Sequence, residues 1–482
     1  MVNSSDPAVP ERLDDVAAAL AEGMPRTRQA LDDLVRIPSI SAAHHDPEPV
    51  RRSAEATAAI LRDAGLAGVR LLEVEGAHPY VYGDWMDAGD GAPTVLLYAH
   101  HDVQPVATAD RWRVPPFEPT EIDGRLFGRG SADDKAGVMV HVAAVRAWLD
   151  ARGGLPVNVK VIVEGEEEIG SPHLASFFAE YADTLRADVI VLTDVLNWKV
   201  GWPGLTYSLR GVAMLDVRVR ALEQPIHSGM WGGPVPDALT GLMRLVGTLH
   251  DERGVPAVDG FFDGVRPLTA EERSALAELG GDADELRRDA GMLPGVGWIG
   301  DPSRSILERM WMLPTITPIG VAAPSIEESA PTLVAEASAR ISVRLAPGQD
   351  PERIVAHVTD HLVRHAPWGM QVTVDPGVAV AAWITDPRGP AFDAARAAMG
   401  AAFGKAPALI GCGGTIPFVQ PFSDAFGGAP CLLTGIEDPS TNAHGEDESL
   451  HLGDFEKACL SEAFLFAELA SRLEATNHRS ET

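Results

Sequence analysis

The chain has 482 residues, 39 Lys+Arg against 69 Asp+Glu, and a formal net charge of −30. Nucleic acids and anionic membrane surfaces reward basic patches, so this balance argues against both as partners. Hydrophobic residues at 45% and charged residues at 22% are ordinary globular values, and a chain of this length needs more than one hydrophobic core.

The polar opening stretch MVNSSDPAVPERLDD has no apolar signal core. No apolar run is long enough to span a bilayer. Cys412, Cys431 and Cys459 are too sparse for a disulfide framework or a thiolate metal site. The expected setting is cytoplasmic.

Residues 11–66 read as helical, broken at Pro38 and near Pro47–Pro49. TVLLYAH (94–100) is a short apolar strand, and VMVHVAAVRAWLDARG (138–153) is a helix closed by a glycine pair. VNVKVIVEG (157–165) and ADVIVLTD (187–194) are further strands. Strands alternating with helices predict a mostly parallel sheet with helices on both faces. Ligands in such sheets gather at the carboxyl ends of strands.

The pattern changes near residue 206. LRGVAMLDVRVRAL (209–222), TPIGVAA (317–323), EASARISVRLAP (336–347) and MQVTVDPG (370–377) read as strands. PDALTGLMRLVGTLHDE (236–252) and DPERIVAHVTDHLVRHA (350–366) read as helices. That order suits a small split βαβ, ferredoxin-like α+β domain. Residues 253–312 read as an insertion in it, with a capping box from Thr269 to Glu272. Helix, strand and helix return in 390–404, 429–438 and 455–475. The expected architecture is α/β: a discontinuous larger domain (1–205 and 381–482) interrupted by an inserted domain (206–380).

Along this frame runs a series of acids and imidazoles. They are His100 and Asp102 in YAHHDVQP, Asp133 in GRGSADDKAG, Glu167 and Glu168 in EGEEEIGS, Asp194 in VLTDV and His444 in NAHGEDES. Singly, each has a plain structural role. Asp133 and Asp134 suit a helix cap, and the glutamate triplet suits a solvated charge run. Three acids at the end of a buried strand nevertheless repel one another unless positive charge sits among them. Taken together, carboxylates and imidazoles without thiolate favour zinc, manganese or cobalt. Two metals sharing a carboxylate can clamp a water and a carbonyl together.

These motifs, with the stretch W…PPF…IDGRLFGRGSADDKAG (112–137), resemble the di-metal hydrolases that include acetylornithine deacetylase, succinyl-diaminopimelate desuccinylase, aminoacylase, glutamate carboxypeptidase and carnosinase. The resemblance runs over nearly the whole chain. HSGMWGG and YAHHDVQP are most similar to the carnosinase and PepV-like dipeptidases.

The resemblance implies two divalent metals per subunit, zinc first, with manganese or cobalt as alternatives. It implies His100, Asp133, Glu168, Asp194 and His444 as metal ligands, Asp133 bridging and followed by a cis peptide. Asp102 would orient His100, and Glu167 would be the general base. His227 would polarise the scissile carbonyl across a homodimer formed by the inserted domain, which would also act as a lid. Arg344, Gly414 and Thr415 would bind the substrate's carboxylate. An aspartate at position 194 goes in this family with dipeptide substrates, the expected partner being a small peptide. Deacylation of N-acyl amino acids is the alternative. His101 and the GEDE after His444 depart from commoner residues of the family and leave substrate preference open.

Overall fold

The computed structural model describes residues 13–106 and 109–480, with side chains as far as residue 473. The polar opening stretch up to residue 12, including the first two residues of the expected helical region, lies outside them. The chain packs as two compact units. One comprises the described parts of Met1–Tyr207, Thr385–Ile410 and Ile416–Thr482; the other comprises Ser208–Ile384 and Gly411–Thr415. The pentapeptide Gly411–Thr415 therefore packs with the second unit, although its neighbours on both sides belong to the first.

The first unit is built on a twisted sheet whose central strands are parallel. Thr94–His100 lies between Asn158–Glu164 and Val189–Leu196 and is parallel to both, and Cys431–Glu437 extends the parallel set beside Val189–Leu196. Antiparallel strands Ala67–Leu72 and Tyr80–Trp85 finish one side. The central strands are apolar along almost their whole length because both faces are covered. Helix Lys135–Arg152 has all but its last four residues buried and ends on Gly153 in the left-handed region, where a glycine carries no Cβ penalty. Against it pack Asp14–Val35 and the long C-terminal helix Leu452–Ser480, and Pro390–Phe403 packs on the latter. Among the described residues no helix is long and apolar enough to cross a membrane.

The second unit carries four antiparallel strands, in chain order Gly211–Arg220, Thr315–Ala322, Glu336–Leu345 and Gln371–Val380. Their order in the sheet is second, third, first, fourth. With helices Ala238–Gly247 and Pro351–Arg364 this is the ferredoxin-like arrangement expected from the sequence. Buried and part-exposed residues alternate along Gly211–Arg220, and the buried set joins Leu242, Leu245, Val358 and Leu362 in one core. The first helix is shorter than its periodicity suggests. It stops at Gly247 because the amide and hydroxyl of Thr248 both bond back to Leu245 O. The capping box in the insertion forms as expected, between Thr269 and Glu272.

Candidate metal centre

Three parallel strands deliver side chains to one end of the first unit's sheet. His100 ends its strand, Glu167 and Glu168 follow the strand Asn158–Glu164, and Asp194 stands near the end of Val189–Leu196. Asp133 arrives from the turn before helix Lys135–Arg152, and the Asp133–Asp134 peptide is cis. His444 comes from the loop after Cys431–Glu437 and has a positive φ of 64°.

Two ligand sets result, and they share one residue. His100, Asp133 and Asp194 offer donor atoms that all lie within 4.8 Å of one another, and so do Asp133, Glu168 and His444. Asp133 Oδ1 is 3.1 Å from His100 Nε2, while its Oδ2 is 3.1 Å from His444 Nε2. His444 Nε2 is also 3.2 Å from Glu168 Oε2, and Asp194 Oδ2 is 3.8 Å from His100 Nε2.

The residues fit a divalent metal pair. His100 Nε2 is buried yet makes no hydrogen bond, although two carboxylates face it. A ring nitrogen aimed between carboxylates without donating to either is oriented as a ligand is. The donors are imidazole and carboxylate, and none of the three cysteines is among them.

Electrostatics point the same way. Hydrogen bonds to Asp133 and Glu168 push His444 up to about 11, although its ring remains partly exposed. Burial opposes charge on His100, but Asp102 and Asp133 outweigh it and raise its pKa. Burial also opposes charge on Asp133, yet the two imidazoles hold it low. Burial first, then neighbouring acids, raise Glu167, Glu168 and Asp194. The cluster therefore favours positive charge at its centre.

The surrounding hydrogen bonds separate the roles of similar residues. His100 Nδ1 is 3.1 Å from the Asp102 carbonyl and 3.4 Å from its carboxylate, so the main chain shares the orienting task. The Asp102 carboxylate instead accepts the amides of Glu167 at 3.2 Å and Glu168 at 3.1 Å, and the Ser41 hydroxyl at 2.6 Å. Gln104 binds Glu168 through both its amide and its side chain. Glu166 turns away to Tyr80 and His173. Asp134 makes no side-chain cap on its helix; its Oδ2 accepts the His100 amide. His101 bonds Pro79 O and belongs to neither ligand set.

Three acids escaped the sequence reading. Glu437 ends the strand Cys431–Glu437, and burial, with Asp133 and Glu448 nearby, raises its pKa. The rule that picked Asp194 would also have picked it. Glu448, the last residue of the GEDE stretch, accepts the amides of Gly130, Ala132 and Asp133 and pairs with Arg129; it is the position where that stretch keeps the family's commoner glutamate. Glu164 is buried against Tyr98 Oη at 2.7 Å.

The remaining predicted residues lie in the second unit. Arg344 Nη1 donates to Thr415 Oγ1 at 3.2 Å, and that hydroxyl donates to Arg210 O at 2.5 Å. Gly414 is beside them, its amide 3.2 Å from Cys412 Sγ. His227 is exposed, and its Nδ1 accepts the Gly229 amide at 3.0 Å.

A fold of this kind with imidazole and carboxylate clusters at its strand ends defines a metal-dependent hydrolase. The chain belongs to the peptidase family M20/M25/M40, whose model matches residues 96–465. It is 33% identical to the cysteinylglycine-S-conjugate dipeptidase of Corynebacterium striatum, over 91% of this chain and 95% of that protein. It is 30% identical to the Beta-Ala-His dipeptidase of Homo sapiens, over 78% of this chain and 75% of that one. Among solved structures, the di-peptidase Dug1p from Saccharomyces cerevisiae matches with a TM-score of 0.85 at 25% identity, covering 95% and 99% of the two chains. Human carnosine dipeptidase 1 matches with a TM-score of 0.85 at 27% identity, covering 96% and 100%.

Proposed function

We propose that this protein is a two-metal dipeptidase, with zinc in both positions, acting as a homodimer. The observation that carries the reading is the Asp133 carboxylate, whose two oxygens face different imidazoles in two ligand sets. Relatives named as dipeptidases, matched over most of this chain, support the substrate class.

His100, Asp133 and Asp194 would hold one ion, and Asp133, Glu168 and His444 the other. When bound, such a pair supplies Lewis acidity to a carbonyl and lowers the pKa of an attacking water. Glu167, whose pKa burial and neighbouring acids raise, would take the water's proton and return it to the departing amine. Asp102 keeps Glu167 and Glu168 in place through their amides. Arg344, Thr415 and the Gly414 amide would bind the dipeptide's carboxylate, for which a planar guanidinium is well shaped. His227 would serve the partner copy. Because its Nδ1 accepts a hydrogen bond, the neutral ring carries its proton on Nε2 and can donate to a developing oxyanion.

The test pairs metal analysis with kinetics. Wild-type protein should contain about two ions per chain and hydrolyse Ala-Gly. Glu167→Gln should retain both ions and lose about 10²- to 10⁴-fold in kcat. Full turnover in that variant would remove Glu167 as the base. Higher kcat/KM on N-acetyl or N-succinyl amino acids than on dipeptides would replace the substrate class.

A further inference from the structure

The second unit contains a cavity of about 900 Å³, formed largely by residues 253–312 and the strand that follows. Its apolar wall includes Phe262, Val265, Trp298, Leu313 and Ile316. The size and lining suit an organic side chain. Two of its polar wall residues, Arg210 and Thr315, connect it to the predicted carboxylate site.

Arg210 Nη1 donates to Thr315 Oγ1 at 3.4 Å, and its Nε donates to Gly413 O at 3.4 Å. Gly413 runs close along the guanidinium: a Cβ there would lie 2.9 Å from Arg210 Nη2. Arg344 stands directly across the sheet from Thr315, its antiparallel neighbour, at a strand spacing of about 5 Å. Thr415 links the two arginines, accepting from one side chain and donating to the other's carbonyl. Burial, and then the charge of Arg344, depress the Arg210 pKa to about 10. Among the described residues no carboxylate forms an ion pair with either guanidinium. Two part-buried guanidiniums without an acid form a receptor for an anion.

We propose that Arg210 completes the carboxylate site with Arg344, and that the adjoining cavity receives the side chain of the same substrate residue. The preferred substrates are then dipeptides whose C-terminal residue carries a large apolar side chain. Arg210 lines the cavity and is linked to Arg344 through Thr415, so a carboxylate held by both arginines lies at the cavity's edge and the group branching from the adjacent carbon can enter it. The inference rests on the dipeptidase reading and on Arg344 as the carboxylate's partner.

Metal-loaded wild-type protein is assayed on Ala-Gly, Ala-Phe and Phe-Gly. Expected is a kcat/KM for Ala-Phe about tenfold or more above that for Ala-Gly, with no comparable gain for Phe-Gly. Val265→Trp and Leu313→Trp, made separately, each project an indole into the cavity and should lower the Ala-Phe to Ala-Gly ratio. Cleavage of Ala-Gly without the Ala-Phe preference, or an equal gain for Phe-Gly, overturns this inference and leaves the dipeptidase reading standing. A ratio unchanged in both variants also overturns it. Cleavage of none of the three peptides overturns the dipeptidase reading itself, and this one with it.

Discussion

The carboxylate of Glu448 caps the main chain of Asp133, accepting its amide at 3.2 Å. The same carboxylate takes the amides of Gly130 and Ala132 and the Arg129 guanidinium. Glu448→Ala would leave three amides without their acceptor and the buried Arg129 without its carboxylate partner. Such uncompensated burial costs about 3–5 kcal/mol. A drop of several degrees in the thermal midpoint is expected, together with weaker metal retention on dialysis. An unchanged midpoint would mean that the turn holds itself.

Asp133 faces both ligand sets, whereas His100 and His444 each face one. Asp133→Ala should therefore lose both ions, and His100→Ala or His444→Ala about one. Elemental analysis of the purified variants reads this directly. Equal losses from all three would show that occupancy is cooperative, and would remove the assignment of separate sets.

Glu164 offers a pH signature. Burial first, and nearby acids after it, raise its pKa to about 7, against the hydrogen bond from Tyr98. For a carboxylate raised on folding, the stabilising contribution is complete below the unfolded value near 4.5. It is lost as pH rises through about 7, and amounts to about 3 kcal/mol. Glutamine cannot ionise. The melting temperature of Glu164→Gln should thus gain on that of wild type between pH 4.5 and pH 8. A difference that stays flat over this range contradicts the assignment.

Arg344→Lys keeps the charge and removes the planar fork. A rise in KM of about tenfold is expected on dipeptides, with a smaller change in kcat. The same comparison with C-terminally amidated dipeptides should show little difference between the two proteins. An equal penalty on both substrate types would place Arg344 outside carboxylate recognition.

The proposed role of His227 in a partner copy is open to complementation. Glu167→Gln and His227→Ala should each be inactive alone. Mixed and reassembled, roughly a quarter of the sites would combine an intact Glu167 with an intact partner histidine. No recovery, with hybrid dimers demonstrated, would place His227 in its own chain's chemistry or outside it.

Much of the frame was legible because strand and helix periodicities are local. The strands ending at His100 and Glu164, the helix closed by Gly153 and the order of the second unit all follow from runs a few residues long. Candidate ligands were legible for a related reason: acids and imidazoles stand where apolar strands end. What stayed hidden depends on contacts across long sequence separations. Glu448 meets Asp133 across 315 positions, and no local pattern announces that. The resemblance set Glu166 apart from Glu167 and Glu168, but its own partners, Tyr80 and His173, had no signal in the sequence. The Asp102 carboxylate is an adjacent-motif residue whose main hydrogen bonds turned out to serve the glutamate turn.

That last arrangement shapes how variation at this protein would be read. One aspartate side chain grips the consecutive amides of Glu167 and Glu168. In a mutational map, position 102 should therefore look as intolerant as the ligand positions themselves. A change there would shift the proposed proton-transfer group and a candidate ligand at once. From phenotype alone, an observer would score as coordination chemistry what is in fact the loss of a hinge pin for two adjacent peptide groups.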